Sequence, residues 1–185
     1  EIGALAGMAM EAGEPYVALS LAKAAADKGV IWPSAYFPVP ALSGLDLPVR
    51  PELALSIARR ESEFNAGVLS HPGAQGLMQV MTGTAKMMAA KIGVSYEPGK
   101  LTTDWQYNAR LGAAYLEDLV AEFGNSPLLV AVGYNAGPGN AKTWRDLSGA
   151  DYTQFVEILT FSEPRLYMQL ITENLYHYTR LYGTP

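Results

Sequence analysis

Five prolines, Pro33, Pro38, Pro40, Pro48 and Pro51, fall within residues 30–51 and divide the chain. A proline inside a helix removes a backbone hydrogen bond and clashes with the turn before it. The stretch is therefore expected to be an extended connector laid over a surface. Trp32, Tyr36 and Phe37 suggest that it packs rather than floats. What precedes it reads as helix. Residues 2–12 and 15–27 are Ala-rich, Gly13 and Gly29 are expected stops, and Pro15 suits a first helical turn. Residues 1–29 are thus predicted to be a helical hairpin, which cannot bury both faces alone and so looks like the end of a helical array. Residues 30–50 form the Pro-rich connector, and residues 51–185 the main domain.

The main domain reads as a mainly α bundle. Pro51 opens a helix predicted to reach about residue 64, and the loop bearing Gly67, Pro72, Gly73 and Gly76 has room for a short hairpin. Residues 84–92 are helical up to Gly93, and Asp104 caps a long helix ending at Phe123 and Gly124. Ser126 and Pro127 start another helix, residues 152–159 form a short one, and Pro164 opens the last. Asn174 is the polar interruption in the apolar period of that last helix. With 185 residues, 49% of them hydrophobic, the chain can bury one substantial core. A net charge of −5 and no basic cluster argue against nucleic acid as a partner. No apolar run is long enough to span a bilayer. There is no cysteine, and His71 and His177 lie far apart, so neither thiolate chemistry nor a metal site is expected, and no cofactor is implied. The chain begins at Glu1 and is expected to be a processed or truncated product.

One carboxylate stands out. Leu53, Ile57 and Glu61 are spaced four apart and share one side of the predicted helix. A carboxylate on an apolar stripe loses hydration, so its pKa is expected to rise. A carboxyl that keeps its proton near neutral pH suits general acid catalysis. The alternative is that the stripe ends before Glu61 and its side chain reaches water past Phe64. Glu63 is offset by two residues, roughly 200° around a helix, and is expected to point away.

Four motifs in order carry a resemblance. They are E-S-x-F (Glu61, Ser62, Phe64), G-x-x-G-L-M-Q-V-M (Gly73 to Met81), G-Y-N-A-G-P-G (Gly133 to Gly139) and E-I-L-T-F-S-E-P-R-L-Y (Glu157 to Tyr167). Across roughly residues 48–182 they resemble the catalytic domain of soluble lytic transglycosylases, which share a lysozyme-like fold with goose-type lysozymes. The resemblance implies that residues 51–185 are such a catalytic domain and that the hairpin is the end of its preceding α-solenoid. It implies Glu61 as the sole catalytic acid/base, with the Tyr134 hydroxyl supporting its carboxyl. It places Ser62 near the substrate sugar, Met78 and Gln79 along the glycan groove, Asn135 in the same turn as Tyr134 and with Ala136 among the substrate-binding residues, and Glu163 and Tyr167 as a polar pair closing the cleft. Read without the motifs, Tyr134 is a core aromatic, Met78 a gap filler, and Asn135 and Gly137 a helix stop. Gly133 departs from the family's usual alanine, Thr82 and Thr160 from proline, and Pro164 from threonine.

Glycoside hydrolysis normally uses two carboxylates. The resemblance implies one, because the 2-acetamido group of N-acetylmuramic acid stabilises the cation and the sugar's 6-hydroxyl attacks in place of water. The expected activity is peptidoglycan lytic transglycosylation, leaving 1,6-anhydromuramyl ends in the periplasm or cell envelope. A muramidase of the same fold and a non-catalytic glycan-binding module are the alternatives. The partner implied is the peptidoglycan glycan strand; the sequence identifies no protein partner.

Overall fold

The structure, a computed structural model, describes residues 2–124, 126–149, 151–159 and 162–183, with backbone alone for Tyr152. Helices α1 (Ile2–Glu11) and α2 (Pro15–Ala26) form the expected hairpin around Gly13. Their seam is alanine: Ala6, Ala18 and Ala22 are buried with Ala35, so the two backbones approach closely. Leu19 faces the other way and joins the main core.

The connector departs from its expectation in detail. It holds a one-turn helix, α3 (Pro33–Tyr36), and a 3-10 turn at Ala41–Gly44. Pro33 is the first residue of α3, where the missing N–H has no intrahelical partner to lose. The segment packs as expected: Phe37 and Leu42 are buried in the main core. Arg59 fastens it, donating from Nε to the Tyr36 carbonyl at 3.1 Å and lying over the rings of Tyr36 and Phe37. The same side chain donates from Nη1 to Asn174 Oδ1 at 2.9 Å. Asn174 in turn donates to the Ser56 carbonyl at 3.3 Å. The polar interruption of the last helix is therefore a buried tie between three segments.

The remainder is helical apart from one small hairpin. In order come α4 (Pro51–Ser62), β1 (Ala74–Gln75), β2 (Val80–Met81), α5 (Thr82–Lys91), α6 (Lys100–Thr103), α7 (Trp105–Phe123), α8 (Pro127–Ala136), α9 (Pro138–Leu147), α10 (Tyr152–Ile158) and α11 (Ser162–Tyr182). The strands pair antiparallel, Ala74 opposite Met81 and Gln75 opposite Val80. Helix α11 lies along α4 and α8, and α7 packs on α5 and α8. Fully buried Leu111, Leu116 and Leu119 of α7 form the centre of the core.

Helix α4 stops at Ser62, short of the expected residue 64. Glu63 and Phe64 take left-handed conformations, with φ of 53° and 67°. Burial of Phe64 draws the chain out of the helical path and into the core. Helices α6 and α9 were not anticipated. Helix α9 begins directly at Pro138, and Gly137 at φ 87° both ends α8 and starts α9. The Asp104 cap stands as expected, its carboxylate accepting from the Tyr107 N–H at 3.0 Å. Two departures from the family pattern have physical readings. A Cβ at Gly133 would lie 2.9 Å from Leu119 Cδ2, so an alanine there would require that leucine side chain to shift. Thr82 opens α5, a position that also tolerates proline. Thr160 lies outside the described residues.

Candidate active site

Glu61 sits in the last turn of α4, facing α11 and the end of α8. Tyr167 of α11 is buried and donates its hydroxyl to Glu61 Oε1 at 2.5 Å. Burial raises the Glu61 pKa from 4.5 to about 7. The Tyr167 hydrogen bond and the Arg60 charge pull it down, and the Glu163 carboxylate pushes it up. Desolvation outweighs both opposing effects, so the carboxyl is poised to hold and release a proton near neutral pH.

Tyr134 corrects its expectation. Its hydroxyl donates to the Met78 carbonyl at 2.7 Å rather than to the carboxyl of Glu61. It is close enough for the Glu61 charge, after burial, to raise its own pKa well above the usual tyrosine value. Its ring leans on Tyr115 with centroids 5.4 Å apart. Tyr134 thus fixes the turn between β1 and β2, and Tyr167 holds the Glu61 carboxyl.

Two expected groove residues turn inward. Ser62 is buried and donates to the Leu77 carbonyl at 2.7 Å, tying α4 to the glycine-rich loop. Met78 is wholly buried on Gly112, where a Cβ would come within 2.6 Å of its sulfur. Both side chains are buried, and the gap-filling reading of Met78 fits its packing. Gln79 is also nearly buried, with φ of 48°. Its amide nitrogen donates to the carbonyls of Gly76 at 2.9 Å and Val68 at 3.1 Å, bracing the loop from inside.

Asn135 and Glu163 do meet. Asn135 Nδ2 donates to Glu163 Oε1 at 3.3 Å, bridging the end of α8 and the start of α11 at the surface. Ala136 is half-buried, and its carbonyl accepts from Asn140 Nδ2 at 2.8 Å. Glu63 leaves in another direction and accepts from Lys23 Nζ of α2 at 2.5 Å. The cause is the left-handed turn past the helix end rather than the helical offset. Among the described residues no cluster of three potential metal ligands occurs.

Asn108, absent from the sequence reading, organises the whole loop. Fully buried on α7, it accepts from the Met78 N–H at 2.8 Å. It donates to the carbonyls of Gln75 at 2.8 Å and Leu101 at 2.9 Å. The detectable signal was a polar residue one turn before Leu111 and Gly112 on an apolar stripe. Gly76 lets the loop come this close: it has φ of 75°, and a Cβ there would lie 1.9 Å from the Leu101 oxygen.

Known proteins share this arrangement. The family model described as the transglycosylase SLT domain matches residues 45–154. The soluble lytic murein transglycosylase of Escherichia coli strain K12 is 39% identical over 131 residues, 69% of this chain and 20% of that protein. Its namesake in Salmonella typhimurium is 37% identical over 134 residues, 70% of this chain and 21% of the relative. The crystal structure of the 70 kDa soluble lytic transglycosylase of E. coli superposes with a TM-score of 0.85 at 29% identity, covering 97% of this chain and 30% of that one. The same enzyme has been solved in complex with bulgecin A. An inactive Glu→Gln mutant of the lytic transglycosylase Slt from Pseudomonas aeruginosa superposes with a TM-score of 0.77 at 28% identity, covering 100% of this chain and 31% of that one. The chain spans about a fifth of the length of the curated relatives it matches. With the family model spanning more than half of its residues, and with a mainly α fold superposing on the solved enzymes along nearly its whole length, this chain belongs to the transglycosylase SLT domain family.

Proposed function

We propose that this chain cleaves the MurNAc-β-1,4-GlcNAc bond of peptidoglycan as a lytic transglycosylase, with Glu61 as the single acid/base. The observation that carries the reading is the Glu61 carboxyl itself. It titrates at about 7 and is gripped by a buried tyrosine hydroxyl. Such a group serves as acid and then as base within one turnover. Glu61 first donates its proton to the glycosidic oxygen as the bond from C1 to that oxygen breaks. The 2-acetamido oxygen of the same sugar shares the positive charge at C1. The Glu61 carboxylate then takes the proton of the 6-hydroxyl as O6 bonds to C1. The acid is restored, no water is consumed, and the glycan ends in a 1,6-anhydro ring.

The names of the relatives support this reading, as does the inactive Glu→Gln mutant solved for one of them. Asn135, Ala136 and Glu163 line the approach from the end of α8 and the start of α11 and would contact the glycan there. The proposed place of action is the periplasm or cell envelope, where the substrate lies. Among the described residues no helix is long and apolar enough to cross a membrane.

The test is product chemistry. Purified sacculi digested with the protein are expected to yield muropeptides carrying 1,6-anhydromuramic acid, each lighter by one water than its lysozyme counterpart. Intramolecular attack has the advantage of proximity. A digest dominated by reducing ends would assign a muramidase instead, and no cleavage at all would favour a glycan-binding module.

A further inference from the structure

Two adjacent arginines on α4 differ sharply. Arg59 is satisfied, bonded to the Tyr36 carbonyl and to Asn174 and stacked on two rings. Arg60 has no ion pair among the described residues, and its Nε is buried without a hydrogen-bond partner. A buried donor with no acceptor is unfavourable. What Arg60 does have is an aromatic face: its guanidinium carbon lies 5.7 Å from the centroid of the Tyr167 ring. That is the ring whose hydroxyl donates to Glu61.

We infer that Arg60 is a positioning residue that acts on Glu61 through Tyr167: the guanidinium over the ring face polarises the phenol and strengthens its grip on the ionised carboxyl. A cation over a π face is attracted to the ring and draws electron density toward itself. The O–H of such a phenol becomes a stronger donor. A strong donor stabilises a carboxylate more than a carboxylic acid. The carboxylate is what Glu61 becomes once its proton has moved to the leaving oxygen, so the contact favours the later state over the earlier one. The burial that holds the proton on Glu61 would otherwise oppose its release.

The neighbours set the balance. From α11, Glu163 opposes ionisation of Glu61 and Tyr167 favours it; from α4, Arg60 favours it. Tyr134 of α8 is half-buried beside the pair and stays a neutral phenol. Tyr167 feels both Glu61, which raises its pKa, and Arg60, which lowers it, with burial the largest influence. Arg60 is the cation that acts on both partners of the short hydrogen bond.

The inference rests on Glu61 being the acid, but its test reads the carboxyl directly. The chain, labelled with carbon-13 at glutamate carboxyls, is titrated by NMR as wild type, Arg60→Gln, Arg60→Lys, Tyr167→Phe and the double variant Arg60→Gln/Tyr167→Phe. Arg60→Gln is expected to raise the Glu61 midpoint by about one unit. Arg60→Lys is expected to restore most of it, since a cation remains over the ring. In the Tyr167→Phe background the Arg60→Gln shift is expected to fall to less than half, because coupled residues are not additive. Arg60→Met, which leaves no buried donor, replaces Arg60→Gln if the latter fails to fold. An unchanged midpoint without Arg60 overturns the inference, as does an equal shift with and without the Tyr167 hydroxyl. Reducing ends in a sacculus digest would count against the lytic reading alone and leave this titration standing.

Discussion

Glu61 carries two properties that pull in opposite directions. Its elevated pKa equips it for proton transfer, and the same burial makes its ionised form a burden on the fold. The carboxyl titrates at about 7 in the folded chain against 4.5 unperturbed. The folded state therefore binds a proton that the unfolded state releases between those values. Stability from this group is complete below pH 4.5 and is lost as pH rises through 7. Glu61→Gln is expected to be about 2–3 kcal/mol more stable than wild type above pH 7, and nearly equal to it in acid. Urea unfolding at pH 5 and pH 8 measures this; equal gains at both values would remove the desolvation argument. The same variant is expected to lose roughly 10²-fold or more in lytic rate. The two tyrosines divide differently. Tyr167→Phe removes a donor to a group that gains charge, expected to cost about 1.5–3 kcal/mol in kcat/KM. Tyr134→Phe removes a donor to a backbone carbonyl and should instead lower stability by about 1–2 kcal/mol, with the smaller kinetic loss. A larger kinetic loss for Tyr134→Phe would return the supporting role to that residue.

At the scale of elements, the glycine-rich loop is set by α7. Asn108 satisfies three backbone groups of the loop and its neighbour from a position with no solvent exposure. Asn108→Ala leaves the Met78 N–H without that acceptor and frees two carbonyls. The expected loss is about 3 kcal/mol in unfolding free energy. Since Tyr134 anchors to the Met78 carbonyl, the turn beside Glu61 should loosen, and lytic rate should fall although Asn108 touches no substrate. Hydrogen exchange at Met78 and Gln79 is the local readout; unchanged protection there would show that Gly76 and Gln79 hold the loop alone. Ser62 performs a similar tie from α4. Helices α4 and α7 are thus both joined to the loop by buried polar bonds.

Across the whole molecule, Leu19 is the buried hairpin side chain that reaches the main core among the described residues. The hairpin's inner seam of alanines forms a small cluster of its own. The Lys23–Glu63 pair at 2.5 Å spans the same junction, but both side chains are more than a third exposed and should contribute little. Leu19→Ala is therefore expected to destabilise by about 2–4 kcal/mol. The loss should move the single unfolding transition of the chain, followed by tryptophan fluorescence and circular dichroism together. A separate early transition of the hairpin would show that it folds apart from the bundle.

Local chemistry made much of this protein legible in its sequence. Prolines at residues 15, 51 and 127 announced helix starts, Gly13, Gly93 and Gly124 announced stops, and Asp104 announced its cap. Each of these signals acts over a turn or less, so it survives without knowledge of the fold. Glu61 was legible for the same reason, as a carboxylate in register with Leu53 and Ile57. Partners were not. Tyr167 lies 106 residues from Glu61 and Met78 lies 56 from Tyr134, and the hydroxyls were assigned by motif rather than by reach. Which tyrosine meets the carboxyl depends on how α11 and α8 seat against α4. The inward turn of Ser62 and Met78 depends on the close approach of the loop to α7, which Gly76, Gly112 and Asn108 permit only together. Motif spacing orders residues along the chain; close packing alone decides which atoms lie within 3 Å of one another.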